Sequence, residues 1–106
     1  MTETGSQAYR APEVLSGNDY DEAVDMWMLG VTIYECLTGV NPFLAPLAAD
    51  TIKNIVEKPI DLEKLKELAI SAEVIDLISE LLQKRPVRRI GIAQAIQHEW
   101  IKVGAF

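Results

Sequence analysis

Few side chains in this 106-residue chain could do chemistry, and their spacing assembles no catalytic constellation. Cys36 is the only cysteine, which rules out an intrachain disulfide and a thiolate zinc site. Set inside an apolar run, it reads as a small buried hydrophobe. His98 is the only histidine. No second ligand stands at helical spacing from it, so it reads as a packing and hydrogen-bonding residue and no metal site is expected. The basic residues cluster once, at Lys84-Arg85 and Arg88-Arg89, a pattern that caps a helix end more readily than it holds phosphate. The remaining concentration of reactive types lies at the start, where Thr2, Thr4, Ser6 and Tyr9 lead into Ala11-Pro12-Glu13 within "GSQAYRAPEVL" at 5–15.

The elements that would position these groups read as helices. The densest apolar run, "VDMWMLGVTIYECL" at 24–37, is apolar nearly all round and stops at Gly39 with Pro42 beyond. It is shorter than the roughly 20 apolar residues of a membrane span and contains Asp25 and Glu35, so it predicts a helix buried on all sides. Gly30 in its middle costs about 1 kcal/mol of helix propensity, which predicts close packing there. After the turn "TGVNPF" a short helix is expected with Asp50 as cap and Ile52, Ile55 and Val56 on one side, stopped by Pro59. A second has Asp61 as cap and Leu62, Leu65 and Leu68 as its stripe. "SAEVIDLISELLQK" is the clearest amphipathic helix, with Ser71 as cap, Glu73 favouring the positive end, and Val74, Leu77, Ile78, Leu81 and Leu82 as its face. Pro86 ends it and Gly91 opens a last helix, with Trp27 and Trp100 as core anchors. No stretch alternates like a strand, and there is no internal repeat. The chain reads as one all-α domain of five to six helices.

Composition bounds the function. Hydrophobic residues at 49% and charged residues at 25% describe an ordinary globular domain. A net charge of −6 disfavours nucleic acid and anionic membranes as partners. The first residues lack a basic region and an apolar core, so no signal peptide is read, and a cytoplasmic or otherwise intracellular location is expected.

Three ordered blocks, "GSQAYRAPEVL", "DMWMLGVTIYECLTGVNPF" and "RPVRRIGIAQAIQHEWI", resemble the C-terminal part of the eukaryotic-type serine/threonine protein-kinase domain. The resemblance implies the helical lower half of a kinase large lobe, from the P+1 loop through the last helix, without the N-terminal lobe. Residues 1–101 would be this partial kinase domain and 102–106 a tail. The closing "AIQHEWI" and the preceding "AEVIDLISELL" look most like the calcium/calmodulin-dependent or calcium-dependent group. By that resemblance Gly5, Ser6 and Tyr9 line the substrate-facing P+1 loop, and Thr2 and Thr4 are candidate phosphosites. Glu13 and Arg89 would form a buried structural ion pair. Asp25, with Trp27, would support the catalytic loop from beneath, and Glu35 is a candidate contact for a basic substrate residue. Three positions depart from the family pattern: Arg85 where aspartate is usual, Gly91 in place of a capping serine or threonine, and Glu99 in place of proline.

The intact family transfers phosphate from ATP, with Mg, to protein serine or threonine. That chemistry needs a glycine-rich loop, a paired lysine, a catalytic aspartate and an Asp-Phe-Gly metal ligand, none of which occurs in these 106 residues. The expectation is a kinase-domain piece with no catalytic residue and no cofactor of its own, inactive by itself. The alternatives are a non-catalytic kinase-like interaction module and one half of a split kinase. The expected partner is a protein substrate or the missing N-terminal kinase half.

Overall fold

The structure is a computed structural model, and it describes residues 8–17 and 21–98. Those residues form six α-helices and one 3-10 turn, with no strand among them. The helices are α1 (Pro12–Leu15), α2 (Glu22–Thr38), α3 (Ala48–Glu57), α4 (Leu62–Glu67), α5 (Ala72–Leu81) and α6 (Ile92–Ile96), and the 3-10 turn is Pro86–Arg88.

Local chemistry sets most of the boundaries. The Asp21 carboxylate accepts the Ala23 amide to start α2. Gly39, in the left-handed region at φ 81°, ends that helix by donating to the Glu35 carbonyl. Asp61 caps α4 through the Glu63 and Lys64 amides, and Ser71 caps α5 through the Val74 amide. Asp50 is not the cap that the sequence suggests. Helix α3 begins three residues earlier, after Leu47, and Asp50 falls in its first turn. Thr51 anchors this start instead, its buried hydroxyl accepting from the Ala45 amide at 2.9 Å.

Packing centres on α2 against α5. Gly30 carries the close approach: a Cβ built there would stand 2.8 Å from both Leu81 Cβ and Leu82 Cδ2. All five residues of the expected α5 face, Val74, Leu77, Ile78, Leu81 and Leu82, are buried. Trp27 is fully buried and stacks on Phe43, with ring centroids 5.4 Å apart.

The expectation that α2 is buried on all sides fails. Asp25, Met28, Leu29, Thr32 and Cys36 are exposed. These positions recur at helical spacing and share one face. Hydropathy reports what a side chain prefers, not which neighbours it finds, so the run reads as buried while the described residues cover only one side. Cys36 is therefore an exposed free thiol rather than a buried hydrophobe. Val56 and Leu68 are likewise exposed at the ends of their helices.

Candidate functional site

Among the described residues, the longest-range polar assembly joins α1 to the segment before α6. Arg89 Nη1 and Nη2 donate to the two carboxylate oxygens of Glu13 at 2.7 and 2.9 Å. Nη1 also donates to the Ala23 carbonyl, Nη2 to Lys84 and Nε to Gln83. A guanidinium has five N–H donors in a fixed fork, and here all five are taken. Both side chains are almost wholly buried, so the parallel bonds fix distance and angle together in a dry setting. The guanidinium also lies 5.1 Å over the Trp27 ring. One side chain thus ties α1, the start of α2 and the loop after α5 into one block.

A cavity of about 480 Å³ is lined by Ala8, Tyr9, Glu35, Gly39, Val40, Asn41 and Leu44. The Tyr9 hydroxyl lies 2.8 and 2.7 Å from the two Glu35 oxygens. That hydrogen bond is the main reason the phenol pKa is raised, with desolvation second. Asn41 shapes the rim. Its amide donates to the Ala8 carbonyl, and its side-chain oxygen accepts from the Phe43 and Leu44 amides. The cavity therefore presents one carboxylate on a wall braced from both chain segments.

Asp25 is exposed on the first turn of α2 and lines a separate, mostly apolar cavity of about 400 Å³ with Glu22, Ala23, Met26, Arg89, Ile90, Gly91 and Ile92. The fold therefore brings Glu13 to Arg89 and Tyr9 to Glu35, and holds Asp25 apart from the Tyr9–Glu35 cavity. Gly5, Ser6, Thr2, Thr4, Glu99 and Trp100 lie outside the described residues.

Two residues of this framework were missed in the sequence. Asn41 before Pro42 carried a turn signal, but its reach back to Ala8 depends on the fold. In the sequence Lys84 stands out only as part of a basic cluster. Its ammonium donates to the Ile55 carbonyl at 2.5 Å and to Asn54 at 3.4 Å, closing the C-terminal end of α3, and sits 4.7 Å over Phe43. Burial pushes its pKa down to about 8.

Comparison with known proteins gives a consistent pattern. A family model described as the protein kinase domain matches residues 1–101. The chain is 36% identical over 104 residues to Aurora kinase B of Danio rerio, covering 98% of this chain and 31% of that protein. It is 37% identical over 100 residues to calcium-dependent protein kinase 2 of Zea mays, covering 94% of this chain and 19% of that one. Among solved structures it is similar to the twitchin kinase fragment of C. elegans. There the TM-score is 0.86 at 33% identity, over 95% of this chain and 23% of that one. The chain thus spans less than a third of the length of these relatives.

Proposed function

The chain belongs to the protein kinase family, and on that premise we propose that it supplies the substrate-side scaffold of a serine/threonine protein kinase. The observation that carries this reading is the five-bond Arg89 hub on Glu13, Ala23, Gln83 and Lys84. It immobilises the Ala-Pro-Glu segment and with it the Ala8–Tyr9 wall of the acidic cavity. The role is one of position: no group in the hub is placed to exchange a proton or attack a phosphate. In the whole kinase, Glu35 would receive a basic side chain of the protein substrate, displacing or sharing the Tyr9 hydrogen bond. Gly5 and Ser6 would continue that surface, Asp25 would hold the catalytic loop from beneath, and Thr2 and Thr4 would be the phosphosites. The closing motifs support a place near the calcium/calmodulin-dependent or calcium-dependent group, although identities of 36% and 37% do not separate that group from the Aurora kinases. An intracellular setting accompanies the reading.

The residues present do not fit Mg-ATP, which the intact family uses. Mg²⁺ on a nucleotide is held through one or two carboxylates plus phosphate oxygens, under a glycine-rich loop. A cavity of about 570 Å³ offers one carboxylate, Glu57, among Lys84, Arg85 and Arg88, and no glycine. In the scaffold reading, phosphoryl transfer is left to other parts of the kinase. The exposed α2 face of Met28, Leu29, Thr32 and Cys36 supports the second reading, in which a separate chain bearing those parts docks there.

The test is a radiolabelled phosphate-transfer assay on the purified chain with Mg-ATP and basic serine peptides. No incorporation is expected, and sustained incorporation would sink the scaffold reading. In the complete kinase, Glu35→Gln is expected to raise KM for peptides carrying arginine near the acceptor and to leave peptides lacking it unchanged. An equal effect on both would remove Glu35 from substrate contact.

A further inference from the structure

Asp76 and Glu80 stand one turn apart on α5, so their carboxylates leave the same face. Beyond α6 the chain turns and brings the His98 imidazole to them. Its Nε2 is 2.8 Å from Asp76 Oδ2 and 4.0 Å from Glu80 Oε2, and one ligand atom from each of the three residues lies within 4.8 Å of the others. We propose that Asp76, Glu80 and His98 form a binding site for a divalent transition-metal ion of the zinc class.

The geometry supports this without backbone movement. A tetrahedral zinc ion with bonds of about 2.0–2.2 Å sets its donors roughly 3.4 Å apart. One observed separation is shorter than that and another is longer, so side-chain rotation suffices to close the site. The groups that must rotate are the ones free to do so: the side chains of Asp76 and Glu80 are 63% and 45% exposed, whereas that of His98 is 8% exposed. A held imidazole and two adjustable carboxylates make a workable donor set. Two anionic oxygens match a divalent charge, and the imidazole nitrogen favours zinc over magnesium, which prefers six oxygens. A cavity of about 270 Å³ shares Glu80 and His98 with the cluster and is otherwise lined by Arg88, Ile90 and Gln94. It has room for the water that completes four-coordination. The bound ion would fasten the turn after α6 onto α5, a link that the substrate-side scaffold does not need and the sequence spacing does not reveal.

Calorimetric titration of the whole chain with zinc chloride tests the proposal, with circular dichroism checking the fold of each variant. One ion per chain is expected, and excess Mg²⁺ does not displace it. Asp76→Asn, Glu80→Gln and His98→Gln should each weaken binding by more than about tenfold. Glu73→Gln, which removes an exposed carboxylate from the same helix, should leave it unchanged. Asp76 and Glu80 are exposed, so their amide variants keep the helix intact and remain informative if His98→Gln unfolds. Co²⁺ should give a visible ligand-field spectrum that Asp76→Asn abolishes. Absence of a single saturable site, or unchanged affinity in Asp76→Asn, overturns the proposal and leaves a hydrogen-bonded cluster only.

Discussion

Glu13 and Arg89 show how burial turns a common ion pair into a structural requirement. Removing one member leaves the other charged and dehydrated, a loss that costs about 3–5 kcal/mol in buried pairs. Glu13→Ala should lower the stability of the chain by that amount in chemical denaturation, and an unchanged midpoint would refute the role. Arg89→Lys is expected to be nearly as costly, because one ammonium cannot replace five donors in a fork. Lys84 makes a pH-dependent prediction. Its pKa falls from 10.5 in the unfolded chain to about 8 in the folded one. The unfolded state therefore binds more protons between those values, and stability from this group rises as pH increases across that window. Wild type should gain stability relative to Lys84→Met between about pH 8 and pH 10.5 and run parallel to it below pH 7. The comparison with the variant cancels the contributions of Tyr9 and Tyr34, whose pKa values are raised in the folded chain.

Two backbone positions decide how the elements meet. Gly30 is the gap through which α5 reaches α2. Alanine there gains helix propensity but drives its methyl into Leu81 and Leu82, so Gly30→Ala should destabilise by about 1–3 kcal/mol. A stabilised variant in thermal unfolding would mean that the helices can separate freely. Ala69 closes α4 in the left-handed region at φ 60°, between the Leu68 amide on Lys64 and the Ile70 amide on Leu65. An L residue with a Cβ is strained there, so Ala69→Gly should stabilise by roughly 0.5–1 kcal/mol, set by the relieved left-handed cost less the added unfolded-state entropy.

At the scale of the whole molecule, the exposed face of α2 matters most. Met28 and Leu29 are 41% and 39% exposed on the central helix, whose other side is the core. This face is the surface on which the proposed second chain would dock. Met28→Gln with Leu29→Gln should leave the unfolding free energy within about 0.5 kcal/mol, as surface changes do. The same pair should reduce binding of an apolar dye and, if a second part of the lobe docks on this face as proposed, weaken that docking. Dye binding that persists in the double variant would place the apolar surface elsewhere.

Much of the fold was legible because its signals are local. Asp61 and Ser71 cap where a short side chain precedes an apolar stripe, and the α5 face follows from a 3.6-residue period. Asp50 was misread because a caps-only rule cannot see Thr51 holding the start of the helix from six residues beyond Ala45. The candidate site divides the same way. Glu13, Arg89, Tyr9 and Glu35 were identifiable as residues through the ordered motifs around them. The Glu13–Arg89 pairing across 76 residues was legible too, through the family resemblance, whereas the pairing of Tyr9 with Glu35 across 26 residues, the capping of α3 by Lys84, and the meeting of His98 with Asp76 and Glu80 were not. The sequence by itself determined the main helices, the caps at Asp61 and Ser71 and the family, since these depend on neighbours within a turn or on motif order. Only the tertiary structure decided which face of α2 is covered, that Lys84 closes α3, and that His98 meets Asp76 and Glu80. Those outcomes depend on distances between segments that the order of residues does not contain.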